Sequence, residues 1–121
     1  MIEGQFNGGD KLLFEIDLIA TDGEIISVDA LLDTGFTQWL AMNTQDLDSL
    51  GWLVVDDEQL MQTAQGETLF NVYLGTVRID GQELNISVLG GDDIPEILLG
   101  MRWVRTRRLV VDFPAGVLTL G

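Results

Sequence analysis

Apolar and polar residues alternate along much of the chain. In residues 11–20, Leu12, Phe14, Ile16 and Leu18 fall on one side, with Glu15 and Asp17 on the other. That is the period of a strand with one buried face. Asp22-Gly23 follows, a dipeptide that supplies the positive φ of a tight hairpin turn. A second alternating run sets Ile26, Val28, Ala30 and Leu32 against Ser27 and Asp29, and leads straight into Asp33-Thr34-Gly35. Residues 37–42 predict another short strand. Residues 52–61 and 69–79 predict the arms of a long β-hairpin, with Thr63-Ala64-Gln65-Gly66-Glu67 at its tip. Asp80-Gly81 reads as another hairpin turn before alternating Leu84, Ile86 and Val88. Gly90-Gly91-Asp92-Asp93-Ile94-Pro95 reads as an acidic loop. Ile97-Leu98-Leu99 has the continuous apolar character of a buried strand. A last hairpin is expected from 109–113 and 117–120 around Pro114-Ala115-Gly116.

Helical signals are few. Residues 43–51 open with cap formers, Asn43 and Thr44, and close on Gly51, about two turns later. Residues 100–107 predict a second short helix. The pattern is therefore all-β, mostly strand with one or two short helices, in a single domain over residues 1–121.

Composition narrows the chemistry. The chain is 46% hydrophobic and 21% charged, enough to build a core. Its net charge of −14 argues against a nucleic-acid partner, which needs phosphates neutralised. Four of the six basic residues, Arg102, Arg105, Arg107 and Arg108, lie close together. They are expected to pair with acids or to cap a helix end; an anionic ligand is the alternative. No apolar run reaches the length of a membrane span, and Met1 to Gln5 is neither basic nor apolar, so neither membrane nor secretion is expected. The absence of cysteine fits a reducing, cytoplasmic setting.

With neither histidine nor cysteine, Ser-His and Cys-His catalysis and the usual zinc ligand sets are excluded. The glycine doublets Gly8-Gly9 and Gly90-Gly91 sit in turn-like contexts and are followed by no phosphate-binding lysine. No cofactor and no metal is expected. What remains is carboxylate chemistry. Most acids, among them Asp46, Asp48, Asp92, Asp93 and Glu96, read as solvated surface. Asp33-Thr34-Gly35 stands apart through its position at the end of a hydrophobic strand, although Asp and Gly suit any turn. Trp39, Trp52 and Trp103 read as core or interface.

Three features in order carry a resemblance: Leu31-Leu32-Asp33-Thr34-Gly35-Phe36-Thr37, the glycine-tipped hairpin, and Ile97-Leu98-Leu99-Gly100-Met101. Together they resemble the retropepsin-like (retroviral-type) aspartic proteases, in their prokaryotic branch. The resemblance spans nearly the whole chain. Met1-Ile2-Glu3-Gly4 looks like the opening strand and Gly100-Met101-Arg102-Trp103-Val104 like the start of the C-terminal helix. Residues 111–113 through 118–120 look like the closing hairpin. It implies a closed, β-barrel-like acid-protease fold with one lobe per chain.

The implied activity is that of an aspartic endopeptidase acting on polypeptides. Asp33 is the implied catalytic residue, with Thr34 and Gly35 supporting its loop. Ala64, Gln65 and Gly66 are the implied flap tip, and Phe36 a substrate-site residue. Retroviral members usually carry a small residue after Asp-Thr-Gly. Phe36 therefore narrows the cleft, lines a pocket or packs into the core, the last being the usual place of a large aromatic. The reaction uses two carboxylates that share one proton about a water. This chain has a single Asp-Thr-Gly, so a homodimer is implied, with a second Asp33 across a two-fold axis. Residues 2–6 and 112–120 are the implied interface strands. The other reading is a retropepsin-like dimerisation or peptide-binding module with little or no turnover.

Overall fold

The computed structural model describes residues 1–63 and 66–121. Its strands are β1 (Ile2–Asn7), β2 (Lys11–Ile19), β3 (Ile25–Leu32), β4 (Leu40–Asn43), β5 (Leu53–Thr63), β6 (Gly66–Ile79), β7 (Gln82–Gly91), β8 (Leu98–Leu99), β9 (Leu109–Asp112) and β10 (Val117–Leu120). A helix, α1 (Thr44–Leu50), and a 3-10 helix (Met101–Arg105) complete the described elements. The chain is thus mostly β, as its alternation indicates.

Local chemistry sets the turns. Gly23 has φ of 89°, and the Glu24 amide donates to Asp22 Oδ1 at 2.9 Å, closing the β2–β3 hairpin. Asp80 and Gly81 both have positive φ, the pair of left-handed residues that matches strand twist in a two-residue turn. Asn43 caps α1 by accepting from the Gln45 amide, and Gly51 ends it in the left-handed conformation.

The sheet runs in the order β5-β6-β7-β4-β8-β3-β2-β1-β10-β9. An additional pairing of Asp17, Leu18 and Ile19 with Arg78, Val77 and Thr76 joins β2 to β6 and bends the middle of the sheet into a ring. Inside it lies one main core. Leu32, Leu99, Leu40, Val88 and Tyr73 are successive register partners across β3, β8, β4, β7 and β6, and all are buried. Trp103 is buried beside them, its indole donating to the Trp39 carbonyl at 2.8 Å, so burial leaves no orphaned N–H. Trp52 is likewise buried and donates to the Ile19 carbonyl.

Three expectations change in detail. Gly90-Gly91 is not a loop but the buried end of β7. A Cβ on Gly90 would lie 2.6 Å from both Leu47 and Tyr73 side chains, so the doublet makes room for packing instead of turning the chain. The strand after Phe36 begins at Leu40 rather than Thr37, because residues 36–39 bond to 100–102 instead of joining the sheet. The second helix is a single 3-10 segment ending at Arg105.

The terminal strands pair within the chain. Ile2 and Glu3 of β1 face Leu120 and Thr119 of β10, and β10 in turn pairs with β9. The N-terminal amine bonds the Asp80 carboxylate.

Asp17 holds the junction of the ring. It accepts from Ser27 Oγ at 2.7 Å and from Arg78 Nη2 at 2.8 Å, residues that face it from β3 and β6. The Ser27 hydroxyl first, and the Arg78 guanidinium next, hold its carboxyl below the usual carboxylate range. A folded-state value below the unfolded one adds stability that is fully present above the unfolded value, about 4. It is lost as pH falls through the lower folded value. Asp17→Asn is expected to lower unfolding free energy by about 1 kcal/mol near neutrality, with the gap closing below about pH 4. Urea unfolding of both proteins across that range checks this, and a gap that persists in acid contradicts it.

Candidate active site

Asp33 emerges at the end of β3, and its placement is a matter of register. The parallel β3–β8 ladder continues past the strand: the Leu31 amide donates to Ile97 O at 2.8 Å and the Asp33 amide to Leu99 O at 3.0 Å. Residues alternate faces along a strand. Ala30 and Leu32 point into the core, so Leu31 and Asp33 share the opposite, outer face.

Five backbone hydrogen bonds lace residues 31–39 to 97–102. Besides those two, Gly100 N–H donates to Trp39 O at 2.9 Å, Met101 N–H to Phe36 O at 2.8 Å and Arg102 N–H to Gln38 O at 3.4 Å. Strand β8 thus lies between β3 and β4, parallel to one and antiparallel to the other, directly behind the Asp33 loop. Gly100 is required there by space: a Cβ would overlap the Gln38 carbonyl, with its carbon at 2.6 Å and the Phe36 ring at 3.0 Å.

Within the loop, the Gly35 amide donates to Asp33 Oδ1 at 2.9 Å and the Phe36 amide to Asp33 O at 3.1 Å. This orients the carboxylate on a half-buried residue while Thr34 and Gly35 remain exposed. An N–H aimed at a carboxylate oxygen fixes its direction. The arrangement offers one oriented acid–base group per chain.

The outer face beside Asp33 is apolar. Leu13, Leu31, Leu98, Ala41, Leu89 and Val72 are successive register partners across β2, β3, β8, β4, β7 and β6. An outer sheet face is ordinarily polar, so this row marks a surface meant to be covered. Part of the cover is internal: Ala41, Phe70 and Leu89 form a small second cluster with Phe36, Val72, Ile94 and Leu98 packed against it. Phe36 therefore packs on this second cluster, on the same face as Asp33. Phe70 and Val72 bring the base of the β5–β6 hairpin into the same cluster. Of the expected flap tip, Gly66 opens β6 as the register partner of Thr63, while Ala64 and Gln65 lie outside the described residues.

Sequence patterning singled out Asp33, Thr34, Gly35 and Phe36, but not the outer-face row. Of β3 only Leu31 and of β8 only Leu98 belong to it, because the outer side of β3 is polar at Ser27 and Asp29, so no periodic signal along one strand marks the row. The arginine cluster is mostly structural. Arg102 and Arg107 lie over the Trp39 and Trp103 rings, and Arg102 and Arg105 fall in the last turn of the 3-10 helix, where carbonyl ends favour cations. Glu96 is paired with Lys11.

No protein-family model and no curated protein matches the chain. Solved structures do. A retropepsin-like aspartic protease from Rickettsia conorii is 21% identical, with 99% of this chain and 88% of that one covered and a TM-score of 0.61. EIAV protease in complex with the inhibitor HBY-793 is 18% identical over 88% of this chain and 99% of that one, with a TM-score of 0.66. The simian foamy virus (mac) protease is 21% identical over 80% of this chain and 99% of that one, with a TM-score of 0.53. Together with the strand order and the doubly paired β8 behind Asp33, they establish that the chain has the fold of the retropepsin-like aspartic proteases.

Proposed function

We propose that this chain is one half of an aspartic endopeptidase, completed by a second copy that brings its own Asp33 to the same water. The observation that carries the reading is the oriented Asp33 carboxylate, held by Gly35 on the same face as an apolar row. One carboxylate of the pair takes a proton from the water as it attacks the peptide carbonyl. The other, protonated, supports the carbonyl oxygen and helps protonate the departing nitrogen. One carboxylate cannot be the ionised base and the protonated acid in the same step, so the dimer is part of the chemistry. The partners are a second copy of the chain and a polypeptide substrate.

A peptide-library cleavage assay tests the activity, and sedimentation at tens of micromolar, with and without a transition-state mimic, tests the assembly. Cleavage and a dimer stabilised by the mimic are the expected results. A strict monomer under both conditions contradicts the reading. A second reading, a peptide-binding module of the same fold, draws on the same apolar row. It is favoured by peptide binding without cleavage at any pH.

A further inference from the structure

The apolar row beside Asp33 is covered at one end and open at the other. At the open end, Leu13, Leu31 and Ile97 line a surface cavity of about 390 Å³, rimmed by Lys11, Asp29 and Glu96. At the other end the chain's own Phe36 packs on the row, against the cluster built by Ala41, Leu89 and Phe70. The ring is not free to leave by a simple loop movement. Its residue is bonded at both backbone groups, N–H to Asp33 O and O to the Met101 amide. The side chain also abuts Gly100, which has no room for a Cβ.

We propose that Phe36 determines specificity by occupying the depression that a substrate side chain would otherwise fill. This rests on the endopeptidase reading. A substrate strand with its scissile carbonyl at Asp33 turns alternate side chains toward the outer face, spaced about 7 Å apart. The one that falls toward Phe36 is restricted to Gly, Ala or Ser. The one that falls toward Leu13 and Leu31 takes a large apolar group. Two-fold symmetry repeats both demands on the far side of the scissile bond.

The test compares wild type, Phe36→Ala and Phe36→Leu on peptides that vary the residues around the cleaved bond, with near-ultraviolet circular dichroism to verify folding. Phe36→Ala is expected to raise the kcat/KM ratio of Leu, Val or Phe over Gly or Ala by about 10- to 100-fold at one position on each side, and Phe36→Leu by less. The same variants are titrated with toluene and followed by methyl NMR. Toluene is expected to shift Leu89, Leu98 and Ile94 in Phe36→Ala and to leave wild type unchanged. An unaltered preference ratio in folded variants overturns the proposal. If no protein cleaves any peptide, the endopeptidase reading fails and toluene decides the depression: binding to Phe36→Ala supports a filled pocket, and no binding overturns it.

Discussion

Asp33→Asn should eliminate peptide cleavage and leave the protein folded. Asparagine keeps the side-chain oxygen that accepts from the Gly35 amide at 2.9 Å, so the loop retains its turn. The bonds that join the loop to β8 and its flanks run through backbone atoms and are unaffected. What is lost is the proton. An amide neither accepts one from water at ordinary pH nor passes one to a leaving nitrogen, and in a homodimer the substitution strikes both halves of the pair. General acid–base action contributes about 10²- to 10⁴-fold per group, so a loss of at least about 10³-fold is expected. The measurement is cleavage of one peptide by both proteins across pH, beside their circular dichroism spectra. Undiminished cleavage by Asp33→Asn would remove Asp33 from the mechanism.

Gly100→Ala should have the largest effect on stability of any methyl-sized change in the site. The residue is buried, and its φ of −86° is one that alanine adopts freely, so the expected damage is steric and not conformational. The added methyl would overlap the Gln38 carbonyl, which accepts from the Arg102 amide, and press on the Phe36 ring. Neither neighbour is the loose end of a flexible side chain. Relief requires residues 36–39 to move away from 100–102, breaking the bonds at Phe36, Gln38 and Trp39. Overpacking of this kind costs about 3 kcal/mol or more, or about 10–15 °C in melting temperature for a domain of this size. Activity should fall further than stability, because moving Phe36 pulls on the Asp33 loop through the Phe36 amide that donates to Asp33 O. Thermal unfolding within about 3 °C of wild type would show that the loop is more compliant than its packing indicates.

Much of this architecture is legible in the sequence where the governing interactions are local. Alternation in β2 and β3 identifies both strands and the buried side at Phe14, Ile16, Leu18, Ala30 and Leu32, while Ile26, near the hairpin turn, is exposed. Asp22-Gly23 and Asp80-Gly81 mark their turns through backbone sterics alone. Asn43 and Gly51 bracket α1 as capping chemistry requires. Asp33 was conspicuous because a strand delivers it and an apolar-Gly segment answers it later in the chain. The rest depends on distant neighbours. Gly90-Gly91 resembles a turn until Leu47 and Tyr73 occupy the space their missing side chains leave. Phe36 resembles a core aromatic, and only the pairing of β8 with both β3 and β4 shows that its cluster lies on the Asp33 face. A two-residue strand such as β8 is too short to reveal its partners by periodicity.

The cis pairing of β1 with β10, and of β10 with β9, separates two events that are often joined in small dimeric enzymes. Each chain pairs β1 with its own β10 and encloses its own main core, so folding is expected not to wait for a second copy. The proposed chemistry does. A dilute solution would then hold intact, silent monomers, and output would climb roughly with the square of protein concentration until pairing saturates. Protein concentration would then set a threshold for proteolysis, and falling back below it would silence the protein without unfolding it.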